Sequence, residues 1–90
     1  MDIEFDPAKD RINRDKHGVS LEWGARLFDD PLHLVLPSMR PVDGEMRFKV
    51  IGHVDDRLWS AIFVWRGTAR RFVSVRRSNA KEAREYADSD

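Results

Sequence analysis

The 90-residue chain contains no cysteine, which excludes disulfide bonds, thiolate metal sites and cysteine nucleophiles. It also lacks a long hydrophobic run: the longest uncharged stretch, PLHLVLPSM at residues 31–39, contains two prolines and is far too short to cross a bilayer. The acidic start MDIEFD does not have the pattern of a signal peptide. We therefore expect a cytoplasmic protein that does not use a membrane.

The residues that are present suit a folded domain, with 41% hydrophobic and 36% charged. We expect a single compact domain over residues 1–90. The net charge is zero, but residues 40–77 hold nine Lys or Arg against four Asp or Glu. Such a basic segment is expected of a protein that contacts phosphates, and equally of strands with a solvated outer face.

Local signals predict two helices joined by a tight corner in the first third of the chain. Asp6 and Pro7 suit the cap and first position of a helix, and Gly18 suits the left-handed residue that ends it. Ser20 caps a second helix, which Pro31 terminates. The residues predicted to face inward share a spacing of three or four and are Ala8, Ile12, Leu21, Ala25 and Phe28.

A hydrophobic period of two predicts a sheet in the rest of the chain. Strands are expected at LHLVLP, MRFKVIGHV, RLWSAIFVW and ARRFVSVRR, with a shorter one at DIEF and turns at Asp43-Gly44 and Asp55-Asp56. RLWSAIFVW is apolar on both faces, as a central strand would be. Simple alternation in the last strand groups Val73 with Val75 and Arg77, and Phe72 with Arg76.

Asn79 and Glu82 form a capping-box pattern that predicts a last helix from Ala80 to Tyr86 or Ala87. Its expected inward contacts are Ala83 and Tyr86 or Ala87. The fold class is therefore α+β: a small antiparallel sheet of about four strands, with two N-terminal helices and one C-terminal helix.

Motifs distributed along nearly the whole chain resemble those of the BrnT family, the toxins of bacterial type II toxin–antitoxin pairs. The segments that carry the resemblance are Phe5-Asp6, Lys9, Asn13, KHGVS (16–20), Glu22, Ala25, FDDP (28–31), GEMR (44–47), Ile51-Gly52, SVRRS (74–78), Glu82 and Tyr86. KHGVS, FDDP and the SVRRS ending are independent signals in distant segments.

The resemblance implies a RelE-like fold and an RNA-cleaving activity that inhibits translation and growth. It also implies a BrnA-like antitoxin with a ribbon-helix-helix region, which we expect in a 2:2 complex that binds operator DNA only through the antitoxin. RNA cleavage without a metal needs a base, cations beside the phosphate and an acid for the leaving oxygen.

Arg76 and Arg77 are the first candidates for the catalytic cations, because they end a strand just before a helix N-terminus. Adjacent strand residues face opposite ways, so we expect one of the two to reach the site. The competing interpretation is a surface ion pair with Glu82 or Glu85.

Arg47 and Lys49 share a strand face and would form a two-cation groove, or simply a solvated outer face. Glu45, in the family-like GEMR segment, is a candidate for the base or for a partner that orients Arg47. With Lys49, the cations expected to bind RNA are Arg71 and Lys16.

Tyr86 lies one turn after Glu82, and RelE-like enzymes place a tyrosine similarly near the cleaved phosphate; a core contact would equally explain it. His17 suits a general base, but helix capping also explains its position.

His33 and His53 lie in different strands without a carboxylate at ligand spacing, so no metal site or cofactor is expected. Trp59, Phe63 and Trp65 fit base stacking, or a core or antitoxin interface. A non-catalytic binding module, a degenerate toxin that docks a protein or nucleic acid, is the alternative function.

Overall fold

The computed structural model describes residues 1–38 and 45–89, which form one mixed sheet and three helices. Along the chain the elements are β1 (Ile3–Glu4), α1 (Pro7–His17), a 3₁₀ helix (Glu22–Asp29), β2 (Leu34–Ser38), β3 (Arg47–Val54), β4 (Arg57–Arg66), β5 (Ala69–Arg77) and α2 (Ala80–Asp88). The predicted turn at Asp43-Gly44 lies outside the described residues.

The sheet has five strands in the order β1-β5-β4-β3-β2, so β4 is central, as its two apolar faces predicted. Strands β2 to β5 pair antiparallel, but β1 pairs parallel with β5, placing Ile3 opposite Arg70 and Glu4 opposite Arg71. The predicted α+β class and the short strand at DIEF are confirmed, but the sheet has five strands rather than about four, and it is mixed rather than antiparallel because β1 pairs parallel. A parallel pair needs a long crossover, which the intervening helices and strands provide.

A β-bulge in β5 changes which of its side chains share a face. Ile62 lies opposite Ser74 but Phe63 lies opposite Phe72, which leaves Val73 as the extra residue. The simple alternation predicted for this strand was wrong beyond that point, because one inserted residue inverts the faces. Val75 consequently shares the core face with Phe72, and Arg76 points to the other side.

One face of the sheet is packed with apolar side chains, and we call it the apolar face. Its buried side chains are Val50, Val54, Ala61, Phe63, Phe72 and Val75, which cluster with Leu21 and Leu27 from the 3₁₀ helix and its first turn. The helix approaches β3 very closely: a Cβ added to Gly52 would lie 2.7 Å from the Leu27 carbonyl oxygen. Only glycine permits this backbone contact.

The predicted corner between the first two helices is confirmed. Asp6 accepts a hydrogen bond from the Ala8 N–H, and Gly18 ends α1 with a φ of +79°. The Ser20 hydroxyl accepts the Trp23 N–H at 3.1 Å. Each local stop and start signal of the sequence is therefore used as expected.

The second helix is a 3₁₀ helix rather than the α-helix whose inward stripe was predicted. Residues three apart eclipse one another in a 3₁₀ helix, and the buried residues here are Leu21, Gly24 and Leu27. These three buried residues are spaced by three and form one narrow row of side chains against the sheet. Ala25 and Phe28 are only partly buried.

Helix α1 buries polar side chains, which contradicts the predicted inward face of Ala8 and Ile12. Ile12 is 62% exposed, whereas Asp10 and Asn13 are buried. Asp10 accepts the Leu21 N–H at 2.7 Å, and the Asn13 amide bonds both the N–H and the carbonyl of Val75. Pairing with β1 leaves this part of the edge of β5 uncovered, and a side-chain amide satisfies its backbone groups.

Candidate active site

The sheet face opposite the apolar face carries several predicted site residues, and we call it the charged face. It is defined by the side chains of Arg47, Lys49, His53, Arg71, Ser74 and Arg76. These side chains alternate along β3 and β5 with those of the apolar face, such as Val50. Helix α2 packs on this face against β3, so the site lies between the sheet and the helix.

Arg76 forms a two-point ion pair with Glu82 of α2. The two terminal guanidinium nitrogens lie 2.7 and 2.8 Å from the two carboxylate oxygens, and the Glu82 side chain is only 2% exposed. The Asn79 backbone N–H donates to the same carboxylate at 2.9 Å, and the Glu82 N–H donates to the Asn79 side chain. The predicted capping box is therefore confirmed, and it also fixes the guanidinium.

The environment of Glu82 keeps it ionised. Burial raises its pKa, but hydrogen bonds from Arg76 and Asn79, the Arg76 charge and Lys49 outweigh burial and lower the pKa from 4.5 to about 2. The hydrogen bond to Glu82 in turn raises the pKa of Arg76. The competing interpretation of an Arg76–Glu82 pair is thus correct in its partners, but the carboxylate is buried rather than on the surface. The fully buried contact of α2 is Glu82, and Tyr86 is partly buried, as predicted for an inward residue, whereas Ala83 and Ala87 are exposed.

Lys49 joins the same carboxylate from the other side. Its Nζ lies 3.3 Å from Glu82 and 3.5 Å from Glu85. Glu82 therefore holds one cation from β3 and one from β5.

A cleft of about 260 Å³ opens beside this ion cluster. Its lining residues are Ser38, Arg47, Lys49, Ile62, Arg76 and Glu82. Arg47 and Lys49 share its wall, as their alternation predicted. Three cationic side chains around one small cleft suit an anionic group such as a phosphate.

Arg77 points to the opposite side of the sheet. Its guanidinium carbon lies 5.7 Å from the centre of the Trp59 ring, and that ring packs 4.5 Å from Trp23. Of the adjacent pair, only Arg76 lines the cleft, in agreement with the expectation that one of the two reaches the site.

Tyr86 lies near the C-terminal end of α2. It belongs to a hydrogen-bonded row of three polar side chains, with Asp30 and His53. Its hydroxyl donates to Asp30 Oδ2 at 2.6 Å, and the His53 Nδ1 lies 3.2 Å from the hydroxyl oxygen. Burial raises the pKa of Asp30, but hydrogen bonds from the His53 backbone, Tyr86 and the Leu32 backbone hold it below its ordinary value. Tyr86 is thus a polar contact between α2 and the segment that follows the 3₁₀ helix.

Residues 5–82 match the model of a family described as "Ribonuclease toxin, BrnT, of type II toxin-antitoxin system". The chain belongs to this family. The match confirms the resemblance read from the motifs, and membership of a type II toxin–antitoxin family implies an antitoxin as partner. No curated protein matches the chain significantly by sequence.

The described part of this BrnT family member has neither a metal-binding cluster nor a membrane-spanning helix. Residues 1–38 and 45–89 contain no group of three or more His, Asp or Glu side chains placed to hold a metal ion. Over the same residues, no helix is long and apolar enough to span a membrane.

His17 and Lys16 lie beside a second, smaller cavity between α1 and β5. This cavity of about 160 Å³ is lined by Lys9, Ile12, Asn13, Lys16, His17, Val73 and Ser74. Burial lowers the pKa of His17, and the Lys16 and Arg76 cations lower it further. The Arg76 charge therefore acts on His17 in this cavity as well as in the cleft that Arg76 lines. Neither Lys16 nor His17 lines that cleft.

Two other predicted residues of this BrnT chain lie outside the cleft. Glu45 forms an ion pair with Arg66 of β4, and Arg71 lies 3.6 Å from Glu4 of β1. Both Arg66 and Glu4 are near the ends of their strands. Base or orienting chemistry by Glu45, and RNA binding by Arg71, stay predictions.

The three strand aromatics of the family member have different environments. Phe63 is buried in the core, Trp59 packs on Trp23, and Trp65 is 44% exposed beneath Arg70, whose guanidinium carbon lies 4.5 Å from the ring centre. The core interpretation is correct for Phe63. Base stacking by Trp65 stays a hypothesis.

Sequence reasoning missed the hydrogen bonds of Asp30 to Tyr86 and to the His53 backbone. Asp30 was noted only as part of the family-like FDDP segment, and His53 was considered only as a metal ligand. His53 shares its strand face with Lys49, which was the available signal. Its carboxylate neighbour comes from a segment more than twenty residues away, so no local spacing could reveal it.

Proposed function

We propose that this chain is an endoribonuclease that cleaves RNA without a metal ion and holds the reacting phosphate in the cleft of Arg47, Lys49 and Arg76. The observation that carries the proposal is the buried Glu82 carboxylate, which fixes Arg76 and Lys49 at one cleft. A preorganised cation costs no reorganisation when charge develops on the phosphate. The α+β arrangement suits the RelE-like fold expected of such an enzyme.

The guanidinium of Arg76 has donors to offer a phosphate although it is paired. Arginine carries five N–H donors. Within the described residues, Glu82 accepts two of them and the Arg77 carbonyl accepts one. The remaining donors can reach a phosphate oxygen while Glu82 maintains the orientation, and Lys49 adds a second positive charge.

We further propose that the whole chain acts as one toxin domain in the cytoplasm, where RNA cleavage inhibits translation and growth. A BrnA-like ribbon-helix-helix antitoxin would neutralise it in a 2:2 complex that binds operator DNA through the antitoxin alone. Family membership supports a partner. Exposed apolar side chains, such as Ile12 at 62% and Trp65 at 44%, are consistent with one.

A non-catalytic binding module is the second candidate, and one observation favours it. Glu82 and Glu85 already compensate the charges of Arg76 and Lys49. A cleft neutralised in this way could dock a partner without stabilising a transition state.

The test is cleavage of purified RNA, free and ribosome-bound, with and without EDTA. Arg76→Ala should lower the rate on the order of 10² to 10³-fold, because the cation acts mainly in the transition state. Arg77→Ala is the matched control, since its side chain lies on the opposite face, and it should stay near the wild-type rate. Growth arrest without antitoxin should follow the same order.

Two results would reject the proposal. Wild-type protein that cleaves neither form of RNA would favour the binding module. Loss of cleavage with EDTA that Mg²⁺ restores would reject the metal-free mechanism.

A further inference from the structure

Part of the apolar face is not sealed by the 3₁₀ helix, and we call this part the open surface. It is defined by the side chains of Phe28, Val35, Phe48, Trp65 and Arg70. Trp65 is 44% exposed and Val35 is 40% exposed, while Phe28 and Phe48 are only partly buried. Apolar side chains that stay exposed beside a packed core are typical of an interaction site.

The pairing of the strands and the ring contacts place these side chains on one face. Val35 lies opposite Val50 of the core. The rings of Phe48 and Trp65 both contact the buried Phe63 ring, at 5.7 and 5.9 Å between centres. The open surface is therefore the continuation of the apolar face toward β2.

Arg70 is a cation held by two aromatic rings of the open surface. Its guanidinium carbon lies 4.7 Å from the centre of the Phe28 ring and 4.5 Å from the centre of the Trp65 ring. Contacts with two rings restrict the side chain, so the position of the charge is fixed. The Nε atom is buried without a hydrogen-bond partner, but the residue as a whole is partly exposed. Its terminal N–H groups can therefore be reached from outside.

The charge of Arg70 is not compensated within the described chain. Over residues 1–38 and 45–89, its guanidinium takes part in no ion pair and no hydrogen bond. The adjacent Arg71 differs, because it lies 3.6 Å from Glu4. An arginine with unused donors beside apolar side chains is complementary to a segment that brings both apolar groups and an anion.

We propose that the open surface is the docking site of an amphipathic segment of the antitoxin, whose apolar side chains cover Phe48 and Trp65 and whose Asp or Glu carboxylate pairs with Arg70. This inference rests on the proposed function, which supplies the antitoxin, and it adds where and by which chemistry the antitoxin binds. Tryptophan and arginine are the residue types that most often dominate the binding energy of an interface.

RNA fits the open surface less well than a protein segment does. Nucleic-acid binding takes its affinity from several phosphate contacts. The cations of the cleft, Arg47, Lys49 and Arg76, lie on the opposite face of the sheet, so they cannot act together with Arg70 on one stretch of backbone. The other side chains of the open surface are apolar.

A second copy of this chain also fits less well. A symmetric dimer would place the open surface against itself. Two Arg70 cations would then meet, and the side chains that define the surface include no carboxylate to separate them. Like charges that face each other across an interface disfavour the complex.

The experiment measures the affinity of the purified chain for its BrnA-like antitoxin by titration calorimetry at several salt concentrations. Affinity should fall in the order wild type, Arg70→Lys, Arg70→Gln, Arg70→Glu, and Arg70→Gln should lose about tenfold or more. Arg70→Gln should also weaken the dependence of affinity on salt. Arg57→Gln is the matched control, because it removes an exposed cation at the other end of β4, and it should bind as the wild type does.

The aromatic part of the open surface has its own variants. Trp65→Ala should lower the affinity on the order of 30-fold, and Trp65→Phe should lose less because a ring remains. These variants and Arg70→Gln should cleave RNA at the wild-type rate, since the cleft lies on the opposite face. Melting curves establish that each variant is folded, and the milder Arg70→Lys and Trp65→Phe keep the test valid if a larger change unfolds the chain.

The outcomes separate this inference from the function on which it rests. Equal affinities of Arg70→Lys and Arg70→Glu, or an unchanged affinity in Trp65→Ala, overturn the docking site and leave the proposed antitoxin complex intact. Weaker RNA binding by these variants would assign the surface to RNA, and a dimer of the chain alone that Trp65→Ala dissociates would assign it to a second copy; either result overturns the proposal. Wild-type protein that does not bind the antitoxin overturns the proposed complex and this inference together.

Discussion

The two faces of the sheet are built by the same strands but are held by different forces. On the apolar face, Val50, Phe63 and Phe72 are at most 1% exposed and pack with the 3₁₀ helix. On the charged face, the contact with α2 depends on a buried carboxylate and two cations. The first face gains its stability from apolar burial, whereas the second combines two buried apolar side chains, Ile51 and Val64, with an ion cluster that depends on the ionisation of Glu82.

A domain of this size can combine a core with a polar site because the two faces of its sheet carry different side chains. Neighbouring residues such as Lys49 and Val50 serve opposite faces. Most of the buried apolar side chains cluster on one face, where the 3₁₀ helix lies almost in backbone contact with β3 at Gly52. The other face can then carry charges that would be costly in a two-sided core.

The largest expected effect follows from removing the Glu82 carboxylate from the charged face. Glu82→Gln should lower the free energy of unfolding by about 3 to 5 kcal/mol, because it leaves Arg76 and Lys49 without the buried anion that compensates them. Glutamine can still accept the Asn79 N–H, so the capping geometry is retained.

Urea unfolding at pH 7 measures this effect, and Glu85→Gln is the control. Glu85 is 31% exposed, and within residues 1–38 and 45–89 its ion pair is with Lys49 alone, so its loss should cost less than about 1 kcal/mol. Equal costs for the two variants would show that burial of Glu82 does not matter.

Acid should weaken the charged face before it weakens the apolar face. The pKa of Glu82 is lowered from 4.5 to about 2, so its contribution is complete above pH 4.5 and disappears as the pH falls toward 2. The wild type should therefore lose on the order of 3 kcal/mol over this range from Glu82 alone.

The apolar face provides the comparison for the acid experiment. Val50→Ala should cost about 2 kcal/mol at every pH, because it removes only apolar contacts. The difference between wild type and Glu82→Gln should instead shrink as the pH falls. A difference that is constant from pH 7 to pH 3 would contradict the assignment of the pKa shift to Glu82.

The sequence predicted the fold best where the signals were local. Asp6, Gly18 and the Asn79–Glu82 capping box bond within a few residues of themselves, and each forms as expected. The bulge at Val73 was not predictable, because its position is set by pairing with β4. The inward face of α1 was missed for the same reason: Asn13 bonds to Val75, 62 residues away.

The candidate site divides in a similar way. Alternation paired Arg47 with Lys49, and the position before the last helix singled out Arg76 and Arg77; that Arg76 joins Arg47 and Lys49 at one cleft became visible only in the structure. The row of Asp30, Tyr86 and His53 joins three distant segments, and Asp30 and Tyr86 are 56 positions apart in the chain. Spacing in the chain carries no information about such a contact, because the fold alone brings the three segments together.

A smaller effect is expected from removing the Asn13 amide, which bonds to the outer edge of β5. Asn13→Ala should lower the free energy of unfolding by about 2 kcal/mol, because the Val75 N–H and carbonyl lose their hydrogen-bond partner. Ile12→Ala is the control from the same helix and should cost less than about 0.5 kcal/mol, since Ile12 is 62% exposed. The amphipathic pattern of the sequence predicts the reverse order, so thermal or urea unfolding of the two variants decides which face of α1 packs.

The smallest expected effect concerns Gly18, which lies in the corner between α1 and the 3₁₀ helix that packs on the apolar face. Gly18 has a φ of +79°, and an added Cβ would meet no atom within 4 Å, so the only cost of substitution is backbone strain. Gly18→Val should lower the free energy of unfolding by at least about 1 kcal/mol, because β-branched residues avoid this region. Gly18→Asn should cost clearly less, since asparagine tolerates the left-handed conformation. Melting curves that are the same for valine and asparagine would show that the corner does not require a positive φ, and that packing on the apolar face alone holds the two helices in place.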